Sequence, residues 1–342
     1  MNSTSITNIS YTEEETNSYL DQLCHEARLR FMPAIIFVGI LGLIGLVGNT
    51  LVLIVYYKSF KPKASRSFIL CVAGFDLMTN VIVIPNEITE LSFRYRYPTN
   101  GLCMFNNFMR YTMAYGSTLS LALICIERYK KICRPLKGQI AARTACKLVI
   151  ACVALTTILG IPTIFQYKVN GVETDRVGIL GRVCEPSDEF KDTILPFIHS
   201  FLQLITCIVF ETLFVVLYSL IGFAIYKQRQ FREQFQVTGT LDKPKGMTPE
   251  TGTKKVAKSH KTTVMLMIIT ATYVLSFLPV IILNTVDSVR QFRNNLNGAN
   301  FISYIIFVRL FFINAAVNPI VFGFMDKRFR DGLMDLFKIK HK

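Results

Sequence analysis

The sequence predicts an all-α membrane protein: a seven-transmembrane helix bundle with a short amphipathic eighth helix. Three observations carry this. First, 51% of the 342 residues are hydrophobic and 18% are charged, against about 25% charged in an ordinary soluble domain. Second, apolar runs of the ~20 residues needed to cross a bilayer occur repeatedly. Third, the net charge of +15 sits in the segments between those runs and forms no single patch, so a membrane with basic loops fits better than a nucleic-acid partner.

Seven runs lie near 32–57, 67–92, 103–127, 147–167, 193–226, 262–286 and 299–324. In lipid each must be helical, because unpaired backbone groups are costly there. The first run starts too late and is too long for a cleaved signal peptide. The expected organisation is an extracellular tail over 1–31, a seven-span domain over 32–324, and a cytoplasmic amphipathic helix and tail over 325–342.

Orientation follows from the loops. Lys58, Lys61, Lys63 and Arg66 follow the first run, and Lys130, Lys131, Arg134, Lys137, Arg143 and Lys147 follow the third. Nine more Lys or Arg follow the fifth run and six lie in the tail, against ten on the opposite side, diluted by acids. The positive-inside rule therefore places the N-terminus outside and the C-terminus in the cytoplasm, at the plasma membrane. Glycosylation triplets at Asn2 and Asn8 fall on the outer end. Of nine cysteines, Cys71, Cys125, Cys152 and Cys207 sit inside runs, where a free thiol is a small apolar residue. Cys103 and Cys184 both face the oxidising side, where a disulfide is stable. Cys24 lies on that side too, with no obvious partner.

Charges at membrane depth are costly and mark function by default. Here they are Asp76, Glu87, Glu90, Arg110, Glu127, Arg128, Glu211 and Arg309. At 100° per residue, Asp76, Asn80, Glu87 and Glu90 lie near one stripe of the second run. Arg110 and Arg128 share a face of the third run, one near each end. Glu90 and Arg128 are close enough to an interface to snorkel instead. Asp76 is too deep and too short for that.

The chain resembles the rhodopsin-like (class A) G-protein-coupled receptors over nearly its whole length. The matching residues are Gly48-Asn49 in the first run and Leu-Cys-Val-Ala-Gly-Phe-Asp ending at Asp76 in the second. Cys103 and Cys184 match the family's outer disulfide, and Glu127-Arg128-Tyr129 with Pro135 its charged triplet. Pro162, Tyr218, Pro279 and Asn318-Pro319-Ile320-Val321-Phe322 match the fourth to seventh spans, and Phe329 opens the stretch resembling the eighth helix. Several residues depart from the pattern. The chain has no Trp. Cys152 and Phe277 stand where the family carries Trp, Phe210 where it carries a span-five proline, and Phe322 where it carries Tyr.

The resemblance implies a switch. Glu127 holds Arg128 at rest, and an outward swing of span six opens a cavity for a heterotrimeric G protein. Tyr129, Tyr218, Phe277, Pro279, Asn318, Pro319 and Phe322 belong to this machinery. No acid follows Glu250 at the start of span six, so Glu127 is the expected partner of Arg128. Asn49, Asp76, Ser120, Asn314 and Asn318 are expected to line a polar core. In many relatives such a core binds Na⁺ as an allosteric ion; an ion-free hydrogen-bond knot is the other reading. No other metal and no cofactor is expected. The basic inner face also suits anionic lipid. Residues 326–342 contain no Ser or Thr, so arrestin recruitment, if phosphorylation-coded, falls to Thr238, Thr240, Thr248, Thr251, Thr253 and Ser259.

For the ligand, Arg110 stands where amine receptors of the family carry Asp, and span seven has no Lys for retinal. The expected pocket is polar, of both signs: Glu87, Glu90, Arg110, Tyr111, His199, Gln203, Asn284, Asp287 and Tyr304, with Arg309 nearby. Arg110 suits a carboxylate through a bidentate pair, or pairs internally with Glu87. The segment from Tyr167 to Asp192 alternates like a hairpin. Such a lid, with the acidic Glu13, Glu14 and Glu15, resembles peptide receptors of the neuropeptide type. A small carboxylate or lipid acid is the alternative ligand, and an orphan with constitutive or no coupling the alternative behaviour. Enzyme and transporter readings find no support. There is no zinc motif, the four histidines are scattered, and no inverted repeat is evident.

Overall fold

The computed structural model of the protein describes residues 11–187, 189, 193–237, 249–290, 296 and 298–337. Asn2, Asn8, Thr238, Thr240 and Thr248 lie outside them. So do the side chains of His199, Thr251, Thr253 and Ser259.

Helix α1 runs over Glu13–Ser59, 47 residues, or about 70 Å at 1.5 Å per residue. That is more than twice the ~30 Å hydrocarbon core. The boundary expected at residue 32 therefore falls inside a continuous helix. A capping box starts it: Glu15 N–H donates to Thr12 Oγ1 at 3.2 Å, and Thr12 N–H donates to Glu15 Oε2 at 2.8 Å. Side chains from neighbouring loops hold the extension. Arg96 bonds Asp21 and Asn17, and Arg176 lies 4.2 Å from the Tyr19 ring centroid.

The second span is α2 (Ala64–Met78), a π-helical turn (Thr79–Val83) and α3 (Ile84–Ser92). Pro85 explains the turn. It has no N–H, and its ring would strike the Val81 carbonyl in α geometry, so a wider turn relieves both faults.

Helix α4 (Asn100–Cys133) is the third crossing. Composition alone does not mark it as a span. Among the described residues, five helical stretches are long and apolar enough to cross a membrane: α1, the second span, α5 (Ala142–Gln166), α6 (Leu195–Val237) and α7 (Pro249–Arg290). A bent pair, α8 (Gly298–Phe307) and α9 (Phe312–Met325), makes a sixth. Helix α4 has the length but carries Asn106, Asn107, Thr112, Ser117, Thr118, Ser120, Glu127 and Arg128, all buried. Its polarity faces other helices. Peripheral α5 is the opposite case: Ile150, Val153, Ile158 and Phe165 are exposed and meet lipid.

Between α5 and α6, strands β1 (Tyr167–Glu173) and β2 (Leu180–Pro186) form the expected antiparallel hairpin, with Val169 opposite Cys184. Gly178 takes φ 93° in its turn, a conformation that needs glycine. Cys184 is disulfide-bonded to Cys103 in the first turn of α4, so the hairpin is fastened across one end of the bundle. At the other end, α10 (Lys327–Leu336) is capped by Asp326, which accepts from Arg328 N–H at 3.0 Å and from Tyr56 OH at 2.9 Å. Spans one and seven pack closely at Gly48, where a Cβ would come within 2.5 Å of Pro319 Cβ.

Span seven bends by 55° between α8 and α9. The break contains no Pro or Gly; it is Val308, Arg309, Leu310 and Phe311. Backbone hydrogen bonds shorten here from i→i−4 to i→i−3: Arg309 N–H donates to Ile306 O at 3.0 Å and Leu310 N–H to Phe307 O at 3.2 Å. This strips the Ile305 carbonyl of its regular donor. The Arg309 side chain replaces it, donating from Nη1 at 2.8 Å. A side chain inserted into the backbone ladder is a recognised cause of a kink.

Candidate functional site

Three polar assemblies run down the bundle axis. Beneath the hairpin is a quartet of charges from spans two, three and seven. Arg110 Nη2 donates to Glu87 Oε2 at 2.6 Å and to Glu90 Oε2 at 3.0 Å. Arg309 Nη2 donates to Glu87 Oε1 at 2.6 Å. Glu87 is thus gripped from both sides and is 3% exposed. The group is neutral, as burial requires. The sequence leaves Arg110 two roles, a dock for a ligand carboxylate or an internal partner of Glu87. In the structure its charge is already matched by two carboxylates, so the internal pairing is the arrangement present. Glu90 pairs with Arg110 rather than snorkelling.

The other expected pocket residues form separate contacts. Tyr111 and Tyr167 share a hydroxyl hydrogen bond at 3.2 Å, tying α4 to β1. Tyr304 OH donates to Asp287 at 3.4 Å, tying α8 to α7. Gln203 is half-buried on α6 and Asn284 is exposed on α7. The His199 side chain is outside the described set.

At mid-bundle, Asp76 accepts from Asn318 Nδ2 at 2.6 Å and from Ser117 Oγ at 3.1 Å. Asn314 Nδ2 donates to Ser117 Oγ at 3.0 Å. This corrects one expectation. Ser120, not Ser117, was placed beside Asp76, yet Ser120 Oγ donates to Gly116 O at 2.7 Å and lies 3.1 Å from Cys71 Sγ. Two serines three apart on a helix are offset by about 60° in angle and about 4.5 Å along the axis, enough to send them to different neighbours. Asn49 stands back as well, donating to Gly45 O and Ala315 O at 2.9 and 2.7 Å. Asn80 Nδ2 donates to the Asp76 carbonyl at 2.6 Å. Asp76 with Ser117, Asn314 and Asn318 offers the hard oxygen donors that Na⁺ prefers.

Towards the α10 end, Phe277 stacks on Tyr273 with centroids 4.5 Å apart. The Tyr273 and Thr118 hydroxyls are hydrogen-bonded at 2.8 Å, linking α7 to α4. Tyr218 OH donates to Leu266 O at 3.2 Å and meets Thr270 Oγ1 at 3.0 Å. At the foot of α4, Arg128 Nε lies 3.1 Å from Glu127 Oε2. Glu127 also accepts from Ser65 Oγ at 3.2 Å and lies 4.0 Å from Lys131 Nζ. Glu127 is thus the acid beside Arg128 among the described residues. Tyr129 lies under the Arg134 guanidinium, 5.5 Å away. Phe322 packs on Tyr56 and Phe329 at 5.6 and 6.3 Å, an apolar contact where a Tyr would carry a hydroxyl.

A seven-span bundle with a disulfide-fastened hairpin at one end, a buried Glu–Arg pair at the other and an Asp-centred core between them defines a transmembrane receptor. Residues 48–322 match the model of the rhodopsin family of 7-transmembrane receptors, and the chain belongs to that family. It is a multi-pass membrane protein and a receptor rather than an enzyme. It is 26% identical to a cholecystokinin receptor of Xenopus laevis, over 90% of this chain and 77% of that protein. It is 23% identical to the neuromedin-U receptor 2 of Mus musculus, over 92% of this chain and 78% of that one. It is 22% identical to the neuropeptide FF receptor 2 of Mus musculus, over 95% and 77% respectively.

Proposed function

We propose that the protein is a plasma-membrane receptor with its hairpin end outside and its C-terminus in the cytoplasm, which binds an extracellular peptide and activates a heterotrimeric G protein. The observation that carries the ligand side is the charge quartet. With Arg110 matched by Glu87 and Glu90, a small free acid finds no unpaired cation there. Glu90 Oε1 has no partner among the described residues and can accept from a basic group of a ligand. The ordered hairpin and the three relatives, all named as receptors for peptides, support the same reading. The basic loops support the orientation.

At the α10 end, Glu127 restrains Arg128 until span six moves and a Gα subunit docks. Na⁺ at Asp76, Ser117, Asn314 and Asn318 favours the resting state. Arrestin recruitment uses Ser and Thr of the loop between spans five and six, and the basic loops and α10 rest on anionic lipid.

The test is a library of secreted peptides, beside a panel of fatty and organic acids, read by nucleotide exchange on purified Gα subunits. A peptide response is expected. Glu90→Gln should shift its half-maximal concentration upward by about tenfold, the worth of a charge-assisted hydrogen bond. Arg128→Ala should abolish exchange, and Glu127→Gln should raise it without ligand. A response to acids alone would replace the peptide reading, and no exchange with any Gα would remove the coupling.

A further inference from the structure

We propose that Arg309 is the positioning residue through which the hairpin-end site sets the bend of span seven. The inference rests on the reading of Glu90 as a ligand contact. Arg309 holds two things at once. One nitrogen, Nη1, satisfies the Ile305 carbonyl that the break leaves without its regular donor, at 2.8 Å. The other, Nη2, grips Glu87 Oε1 at 2.6 Å. A planar fork holds both acceptors in fixed geometry; an ammonium with rotatable donors does not. The bend is thus tied to a carboxylate on span two.

That carboxylate is shared. Arg110 holds its second oxygen and uses Glu90 as its other partner. When a ligand cation takes Glu90, Arg110 is left with Glu87 as its one carboxylate, beside the Asn107 amide oxygen at 3.4 Å, and draws it from Arg309. The clamp on Ile305 loosens. Everything beyond the break is α9, which carries Asn314 and Asn318, the donors to Ser117 and Asp76. A change of bend is therefore delivered to the polar core without any ligand reaching it. Buried helix breaks satisfied by side chains, with short i→i−3 bonds, are where such motion concentrates.

The full-length protein in lipid nanodiscs, probed by hydrogen exchange with mass spectrometry, tests this. Glu90→Gln stands in for the ligand by withdrawing the charge from Arg110. It should speed exchange across residues 306–314 by about tenfold, as for loss of one charge-assisted bond. In an Arg309→Met background that increment should vanish. Arg309→Lys keeps the charge and guards against a folding defect; it should at least halve the increment. Glu87→Gln removes the shared acceptor and should abolish it. An increment equal in all backgrounds, or no effect of Glu90→Gln, overturns the proposal. The measurement needs no G protein, so its failure is separate from failure of coupling in the nucleotide-exchange assay.

Discussion

Tyr273 sits where α4 and α7 meet, its hydroxyl bonded to Thr118 and its ring against Phe277 and Phe214. Tyr273→Phe removes only the hydroxyl. It should cost about 1 kcal/mol of stability and raise ligand-free nucleotide exchange. Thr118→Val removes the same bond together with its contact to Ala114 O at 2.8 Å, and the double variant should be no worse than Thr118→Val alone, because the bond to Tyr273 is shared. Additive losses in thermal unfolding would show that the hydroxyls act independently. The quartet gives a second residue-scale expectation. Glu87→Gln leaves the buried Arg309 and the half-buried Arg110 short of one carboxylate and should cost about 3 kcal/mol. Glu90 has one ion pair and more exposure, 14% against 4% for the Glu87 side chain. Glu90→Gln should therefore cost clearly less on the same thermal scale.

At the scale of elements, the hairpin depends on one covalent tie. The Cys103–Cys184 bond closes a sequence separation of 81 residues, for which loop entropy gives about 4–5 kcal/mol. Cys103→Ser should lower the unfolding temperature. It should also speed amide exchange in β1 and β2 before any in α5. Reductant added to the unchanged protein should reproduce both. The hairpin was legible in sequence because Val-Asn-Gly and Gly-Arg-Val-Cys alternate as strands do. The bend of span seven was not. Phe307 to Phe312 has no Pro or Gly to mark a break, and the cause is the Arg309 side chain reaching its own ladder. Helix α4 was found from its run and its triplet, although its polarity is that of a buried helix. Ser120 came from the resemblance alone, and two serines one turn apart on α4 are told apart only by what each one touches: Ser117 meets Asp76 and Ser120 meets Gly116 O and Cys71. Glu87, Arg110 and Asp76 were legible because isolated charges at membrane depth have few places to go.

For the molecule as a whole, polar side chains succeed one another from the quartet through Asp76 to Arg128. If Na⁺ holds the resting arrangement, replacing it with N-methylglucamine should raise ligand-free nucleotide exchange severalfold. Ser117→Ala should remove that dependence and Ser120→Ala should keep it, since only Ser117 reaches Asp76. Equal behaviour of the two serine variants would take the ion away from this site.

Helix α1 has a further consequence at this scale. Its residues 13–31, ahead of the run over 32–57, add about 28 Å of helix on the hairpin side, strapped by Arg96 and Arg176 to neighbouring loops. The first span is therefore a lever. A rotation of 5° about the middle of α1 sweeps the tip near Thr12 through roughly 3 Å. A probe attached at that tip would turn events at the binding site into displacements large enough to measure from outside the membrane.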